Sequence, residues 1–123
     1  MAQRFLKIAV VYLFLGALLG ITMGIFQNFA LVPVHAHIGL LGWATLALAG
    51  VIYHLHLAAA KTRLAKLHFW MHNLALPVFM VGLSLYLLGH PALMGVVVVA
   101  GLLLLISLGL FMVNVLSNVK STM

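Results

Sequence analysis

Two histidines separated by one residue, His35 and His37, stand at the start of a long apolar run in the stretch VPVHAHIGLLGW. On an α-helix their side chains would differ in direction by about 200°, so the pair cannot chelate one ion. An ionisable side chain within an apolar segment is a candidate functional residue. Two on opposite faces of a helix suggest ligands for two cofactors, or contacts with two sides of an oligomer. The alternative is an interfacial pair, one ring reaching water and the other bonded to a main-chain carbonyl.

The ligand chemistry of the pair favours iron over zinc. The chain has no cysteine, aspartate or glutamate that could complete a zinc site. Haem iron suits an apolar cavity better, because the macrocycle supplies four ligands and the protein adds only one or two imidazoles. The sequence therefore predicts His35 and His37 as cofactor-binding residues.

A second group of histidines, His54, His68 and His72, occurs further along the chain. His68 and His72 are four residues apart, hence on one helix face, and we expect His54 at a similar depth on the neighbouring helix. Three imidazoles could bind copper or zinc, or one could bind a second haem, with His72 the best ligand because it lies deepest. The alternative is that His54, His56 and His68 lie at the membrane interface beside a cationic loop.

The elements that carry these histidines follow from composition. Hydrophobic residues make up 67% of the chain and charged residues 5%, too few polar side chains to cover a soluble core. Four apolar runs are each long enough to cross the ~30 Å hydrocarbon layer of a membrane. They occupy residues 5–26, 32–60, 64–88 and 92–116. Because the breaks are short, we predict one all-α domain over residues 1–123, an integral membrane four-helix up-and-down bundle.

The charge distribution predicts the orientation. The cations lie near the N-terminus, between the second and third runs, and near the C-terminus: Arg4, Lys7, Lys61, Arg63, Lys66 and Lys120. By the positive-inside rule both termini are cytoplasmic, as in a multi-pass protein of the bacterial inner membrane. His35 then lies near the outer face, about 28 Å from His54 near the inner face. The scattered cations form no basic patch, so we expect lipid and not nucleic acid as a partner.

Three glycines, Gly16, Gly20 and Gly24, recur every four residues in the first run. This small-residue ridge permits close helix packing. The spacing leaves open whether the packing partner is a helix of the same chain or of another subunit.

HAHIGLLGW, with the following LALAGVIYHL, resembles the tenth helix of the haem-copper oxidase large subunit, most closely in C-type oxidases and nitric oxide reductases. The likeness covers about 20 residues, 34–53. In that family the first histidine of the H-x-H pair binds the high-spin haem and the second binds the low-spin haem. The resemblance thus implies haem b, with His35 in the first role and His37 in the second.

The large subunit of that family has twelve helices in three arcs of four, and this chain resembles a single arc. A trimer would restore twelve helices, so the resemblance implies a homo-oligomer. The family's low-spin haem takes its second histidine from another arc. In a trimer, His35 of a neighbouring subunit could fill that position opposite His37.

The departures from the family limit the function that the resemblance implies. Nothing matches the family's copper-binding histidine motifs, and carboxylates for proton loading are absent. We therefore expect no complete oxygen or NO reductase, but a haem b protein for electron transfer with a respiratory-chain partner, or for sensing O2 or NO. The alternative is a non-redox assembly or copper-handling factor for respiratory oxidases, in which the inner histidines carry copper. A purely structural subunit would require every histidine to be incidental.

Overall fold

The computed structural model describes residues 1–120, which are helical and contain no strand. Four helices in this range are long and apolar enough to cross a membrane. Their bounds are Ala2–Phe26 (α1), Val32–Leu55 (α2), Arg63–Leu87 (α3) and Met94–Asn118 (α4). A 3-10 turn, Pro91–Leu93, leads into α4. The prediction of an all-α chain with four apolar helices of membrane-spanning length is confirmed.

Helix α2 is not uniform. It begins as an α-helix, Val32–His37, continues as a π-helix, Ile38–Ala44, and returns to an α-helix, Thr45–Leu55. The chain leaves the helical conformation at His56, with φ −127° and ψ 80°, before a short helix, Leu57–Ala60. The predicted segment 32–60 is therefore interrupted at residue 56.

Side-chain hydrogen bonds fix the turn between the short helix Leu57–Ala60 and α3. The main-chain carbonyl of Ala59 accepts hydrogen bonds from Thr62 Oγ1 at 2.8 Å and from Asn114 Nδ2 at 3.0 Å. Thr62 in turn caps α3, because its Oγ1 accepts from the N–H of Ala65 at 3.1 Å. Polar side chains thus take over main-chain hydrogen bonds that a continuous helix would have made.

Glycines allow α1 and α2 to approach closely. Gly16 packs on Ile38 and Gly20 packs on the ring of His35. From the other side, a Cβ at Gly42 would lie 2.6 Å from Cγ of Tyr12. Two glycines of the predicted ridge therefore contact a helix of the same chain. An added Cβ at the third, Gly24, would meet no atom within 4 Å in the part of the chain described.

Helices α3 and α4 pack antiparallel. A Cβ at Gly82 would lie 3.4 Å from Val96, and one at Gly101 would lie 3.4 Å from Phe79. Buried residues form two clusters, each drawing on several helices. One cluster is centred on Phe5, Leu46, Tyr53 and Phe69, and the other on Val34, Ile38, Leu76, Met80 and Leu104.

Large apolar side chains also cover the outside of the helices. Phe14 is 68% exposed, Ile25 71% and Leu116 77%. Water-soluble monomers rarely leave apolar surface of this extent uncovered. The outer surface is therefore compatible with a multi-pass membrane protein.

Candidate functional site

His35 lies between α1 and α2. Its Nδ1 is 2.9 Å from the carbonyl oxygen of Gly16, and its ring packs against Gly20. A carbonyl oxygen can only accept a hydrogen bond, so Nδ1 carries the proton of the neutral ring. The lone pair of His35 therefore resides on Nε2, the ring atom that binds a metal in this tautomer.

His37 is held in the same tautomer on the other side of α2. Its Nδ1 is 2.6 Å from the carbonyl oxygen of Pro33, one turn earlier. Its ring centroid is 5.1 Å from that of Phe79 on α3. His35 thus contacts α1 and His37 contacts α3, in keeping with the opposite directions expected from their spacing.

A groove of about 480 Å³ opens beside His35 between α1 and α2. Its volume falls within the range of about 300–1,000 Å³ that is usual for ligand pockets. Two aromatic rings and several small residues line it, including Tyr12, Trp43, Gly16, Ala17, Ala36 and Gly39. An apolar slot with one imidazole bearing a free lone pair fits the chemistry of a haem site.

The π-helix follows the histidine pair directly and was not predicted from the sequence. Its wide turn bonds the N–H of Thr45 to the carbonyl of Leu40, five residues back. π-Helical turns are rare and are frequently found at functional sites. The only local signal is the pair of glycines, Gly39 and Gly42, within IGLLGWA.

The π-helix also receives His72 from α3. Nε2 of His72 donates to the carbonyl of Leu41 at 2.8 Å, and Nδ1 lies 3.4 Å from Oγ of Ser107 on α4. His72 is fully buried. Both of its ring nitrogens therefore have partners within the chain.

The structure brings His68 close to His72, with ring centroids 5.8 Å apart, but His54 is exposed. Nδ1 of His68 is 3.0 Å from the hydroxyl of Tyr53, and its buried Nε2 has no hydrogen-bond partner among residues 1–120. No group of three potential metal-ligating side chains occurs within that same range. The three inner histidines considered for copper or zinc thus do not converge on one point.

A polar network that was not predicted from the sequence lies beside His68. Asn114 Nδ2 donates to the carbonyl of Ala59 at 3.0 Å and lies 3.4 Å from the hydroxyl of Tyr53. Asn118 Nδ2 donates to Asn114 Oδ1 at 2.8 Å. The signal available in the sequence was an asparagine, Asn114, within the otherwise apolar fourth run.

Comparisons with known proteins supply no relative for this site. No family model, curated protein or solved structure matches the chain. A function can therefore be inferred only from the residues of this chain and their geometry.

Proposed function

We propose that this chain is an integral membrane protein that binds haem b through His35 and His37, for electron transfer or for sensing O2 or NO. The observation that carries the proposal is the orientation of the two rings. In each, Nδ1 donates to a main-chain carbonyl, at 2.9 Å for His35 and 2.6 Å for His37. Both Nε2 atoms therefore keep the lone pair that an axial ligand needs.

In this proposal the chain holds the cofactor and controls its surroundings. A bound haem would supply iron that exchanges one electron or binds a diatomic gas. The carbonyls of Gly16 and Pro33 fix the orientation of the two imidazoles, as outer partners of histidine ligands commonly do. The groove beside His35 would offer the macrocycle a mainly apolar surface, with Tyr12 and Trp43 in its lining.

The proposal places the four helices across a bacterial inner membrane as an up-and-down bundle. The exposed apolar surface supports insertion, and the cationic loops support cytoplasmic termini. The outer end of the bundle then contains His35 and His37, and the inner end contains His68.

We further propose that the chain is a small relative of the haem-copper oxidase large subunit, equivalent to one arc, that assembles as a homo-oligomer, with a trimer favoured. His35 and His37 lie on opposite sides of α2, so they cannot bind the two faces of one haem within a single chain. A second axial ligand from a neighbouring subunit would complete the coordination. The electron partner would then be a component of the respiratory chain.

The absorption spectrum of the purified protein tests haem binding. The proposal expects a Soret band and sharp α bands on reduction. His37→Ala should remove the haem or leave its iron five-coordinate, whereas His54→Ala, an exposed histidine in the same helix, should leave the spectrum unchanged. An unaltered spectrum in His37→Ala would exclude this residue as a ligand.

Co-expression of His35→Ala and His37→Ala chains tests the shared site. Mixed oligomers contain some interfaces that keep both ligands, so six-coordinate haem should reappear although neither variant supports it alone. A haem-loaded monomer in native mass spectrometry, or a mixture no better than its parents, would contradict the inter-subunit arrangement.

A further inference from the structure

Two of the cations, Arg4 and Lys7, share a groove between the start of α1 and the inner half of α3. The groove has a volume of about 690 Å³. Its other lining residues are Ile8, Phe69, Trp70, Asn73 and Leu74. This groove is not lined by the other inner cations, Lys61, Arg63 and Lys66.

The cations of this groove lie level with the second and third turns of α3, beyond its first residue. Phe5 packs on His68 and Phe69, with ring centroids 5.1 Å apart in both pairs. The neighbouring Arg4 is therefore level with the second turn of α3, about 8 Å along the axis from its first residue at 1.5 Å per residue. Lys7 lies one turn further in the same direction, because α1 and α3 run parallel.

Arg4 and Lys7 are both exposed side chains. A cation near the membrane surface is attracted to anionic lipid headgroups, by about 1 kcal/mol for each lysine or arginine. The chain has no aspartate or glutamate, so no side chain can neutralise Arg4 or Lys7. Trp70 at the same level is a residue type enriched where lipid headgroups meet the hydrocarbon layer. The counter-ion is therefore expected at headgroup depth.

An apolar groove adjoins the cationic one. It lies between α3 and α4, has a volume of about 690 Å³, and shares Trp70 and Leu74 with the first groove. Its remaining lining is hydrocarbon and sulfur, for example Leu67, Met71 and Val99. A cationic groove beside an apolar one, with Trp70 and Leu74 lining both, matches a molecule with an anionic head and a hydrocarbon tail.

We propose that this chain binds one anionic phospholipid, its phosphate between Arg4 and Lys7 and one acyl chain across Trp70 into the groove between α3 and α4. The inference rests on the membrane location proposed above. A phosphate ion would leave the apolar groove empty, and a phospholipid without net charge would leave the cations uncompensated. The shape and charge of the two grooves together therefore select an anionic lipid.

Native mass spectrometry of the full chain, released from micelles containing phosphatidylglycerol and phosphatidylcholine, tests the proposal. The wild-type chain should retain one phosphatidylglycerol. The double variant Arg4→Gln, Lys7→Gln should bind it about 25-fold more weakly, at about fivefold for each cation removed. The matched double variant Lys61→Gln, Arg63→Gln loses the same charge outside the groove and should retain the lipid.

Trp70→Ala supplies a second variant, because it removes the shared wall and leaves every topology-determining charge in place. It should also weaken lipid retention. The proposal would be overturned if both double variants lost the lipid equally, or if the wild-type chain retained phosphatidylcholine as well as phosphatidylglycerol. It would also be overturned if Trp70→Ala retained phosphatidylglycerol fully, or if inorganic phosphate displaced this lipid. Carbonate extraction and the haem spectrum test the membrane location and the haem site separately, and neither depends on the lipid result.

Discussion

Adding one methyl group at Gly20 tests whether α1 holds the His35 ring in its ligating orientation. A Cβ at this position would lie 2.9 Å from Cε1 and 3.4 Å from Nδ1 of His35. Non-bonded carbon atoms prefer a separation of about 3.5–4.0 Å, so the ring must move by at least about 0.6 Å. That movement disturbs the 2.9 Å bond from Nδ1 to the carbonyl of Gly16.

The magnitude depends on how the ring responds. If the ring swings out, the folded state loses a hydrogen bond of about 1 kcal/mol. If it stays, overpacking costs about 1–3 kcal/mol. The cheaper response sets the lower limit, so Gly20→Ala should lower the free energy of unfolding by at least about 1 kcal/mol relative to a neutral alanine substitution in the same helix.

Gly24→Ala is that neutral substitution. Its added Cβ would meet no atom within 4 Å in the described part of the chain. Both variants gain the same helix propensity, about 0.5–1 kcal/mol for alanine over glycine, so their difference isolates the contact with His35. The assay is reversible unfolding of the purified protein in mixed micelles, followed by circular dichroism.

The absorption spectrum provides a second measurement for the same pair of variants. Under the proposed function, Gly20→Ala should lose haem more readily than Gly24→Ala, because the His35 ring is displaced. Equal stability and equal haem retention in the two variants would refute the placement of the ring between α1 and α2.

Three further predictions concern topology and the inner histidines. Reporters fused to the N-terminus and to the C-terminus should both be read in the cytoplasm, and a cysteine replacing Asn28 should be labelled from outside. A C-terminal reporter on the outer side would contradict the proposed orientation. His72→Leu should lower the free energy of unfolding by about 1 kcal/mol, because it removes the 2.8 Å hydrogen bond to the carbonyl of Leu41. The control His54→Leu changes an exposed histidine and should not lower it. Equal effects of the two substitutions would rule out the hydrogen bond to Leu41. Asn114→Ala should cost about 1–3 kcal/mol in the same assay, since it removes a buried hydrogen bond at 3.0 Å and a part-buried one at 2.8 Å. An unchanged midpoint would refute this network.

The helical architecture could be predicted because it depends on local properties. A run of about 20 apolar residues suffices to predict a membrane-spanning helix, whatever its neighbours are. The opposite directions of His35 and His37 likewise follow from their spacing on one helix. Both inferences use only the covalent order of the chain and the geometry of the α-helix.

The direction of the His54 side chain could not be predicted from the sequence. His54 is at the expected end of α2, but Tyr53 occupies the buried position at that level. The next residue on a helix lies about 100° further round, so the His54 side chain is exposed. Whether Tyr53 or His54 faces the core depends on the rotation of α2 against α1 and α3, which the composition of α2 alone does not determine.

The π-helix could not be predicted for a related reason. One bond to its wide turn comes from a residue distant in sequence, since His72 of α3 donates to the carbonyl of Leu41. Thr45 Oγ1 also donates to the carbonyl of Leu40 at 2.7 Å. Neither bond is implied by the residues IGLLGWA, which are compatible with an ordinary α-helix.

Main-chain carbonyls are the acceptors for three histidines in this chain: Gly16 for His35, Pro33 for His37 and Leu41 for His72. Histidine ligands in metalloproteins often donate instead to a carboxylate, which increases electron donation from the ring to the metal. This sequence contains no carboxylate side chain, so only neutral acceptors are available for the task. Under the proposed function, the iron would then receive less electron density than in a carboxylate-oriented pair. Because lower electron density on the iron favours its reduced state, the proposed haem should have a higher reduction potential than one whose histidines donate to carboxylates.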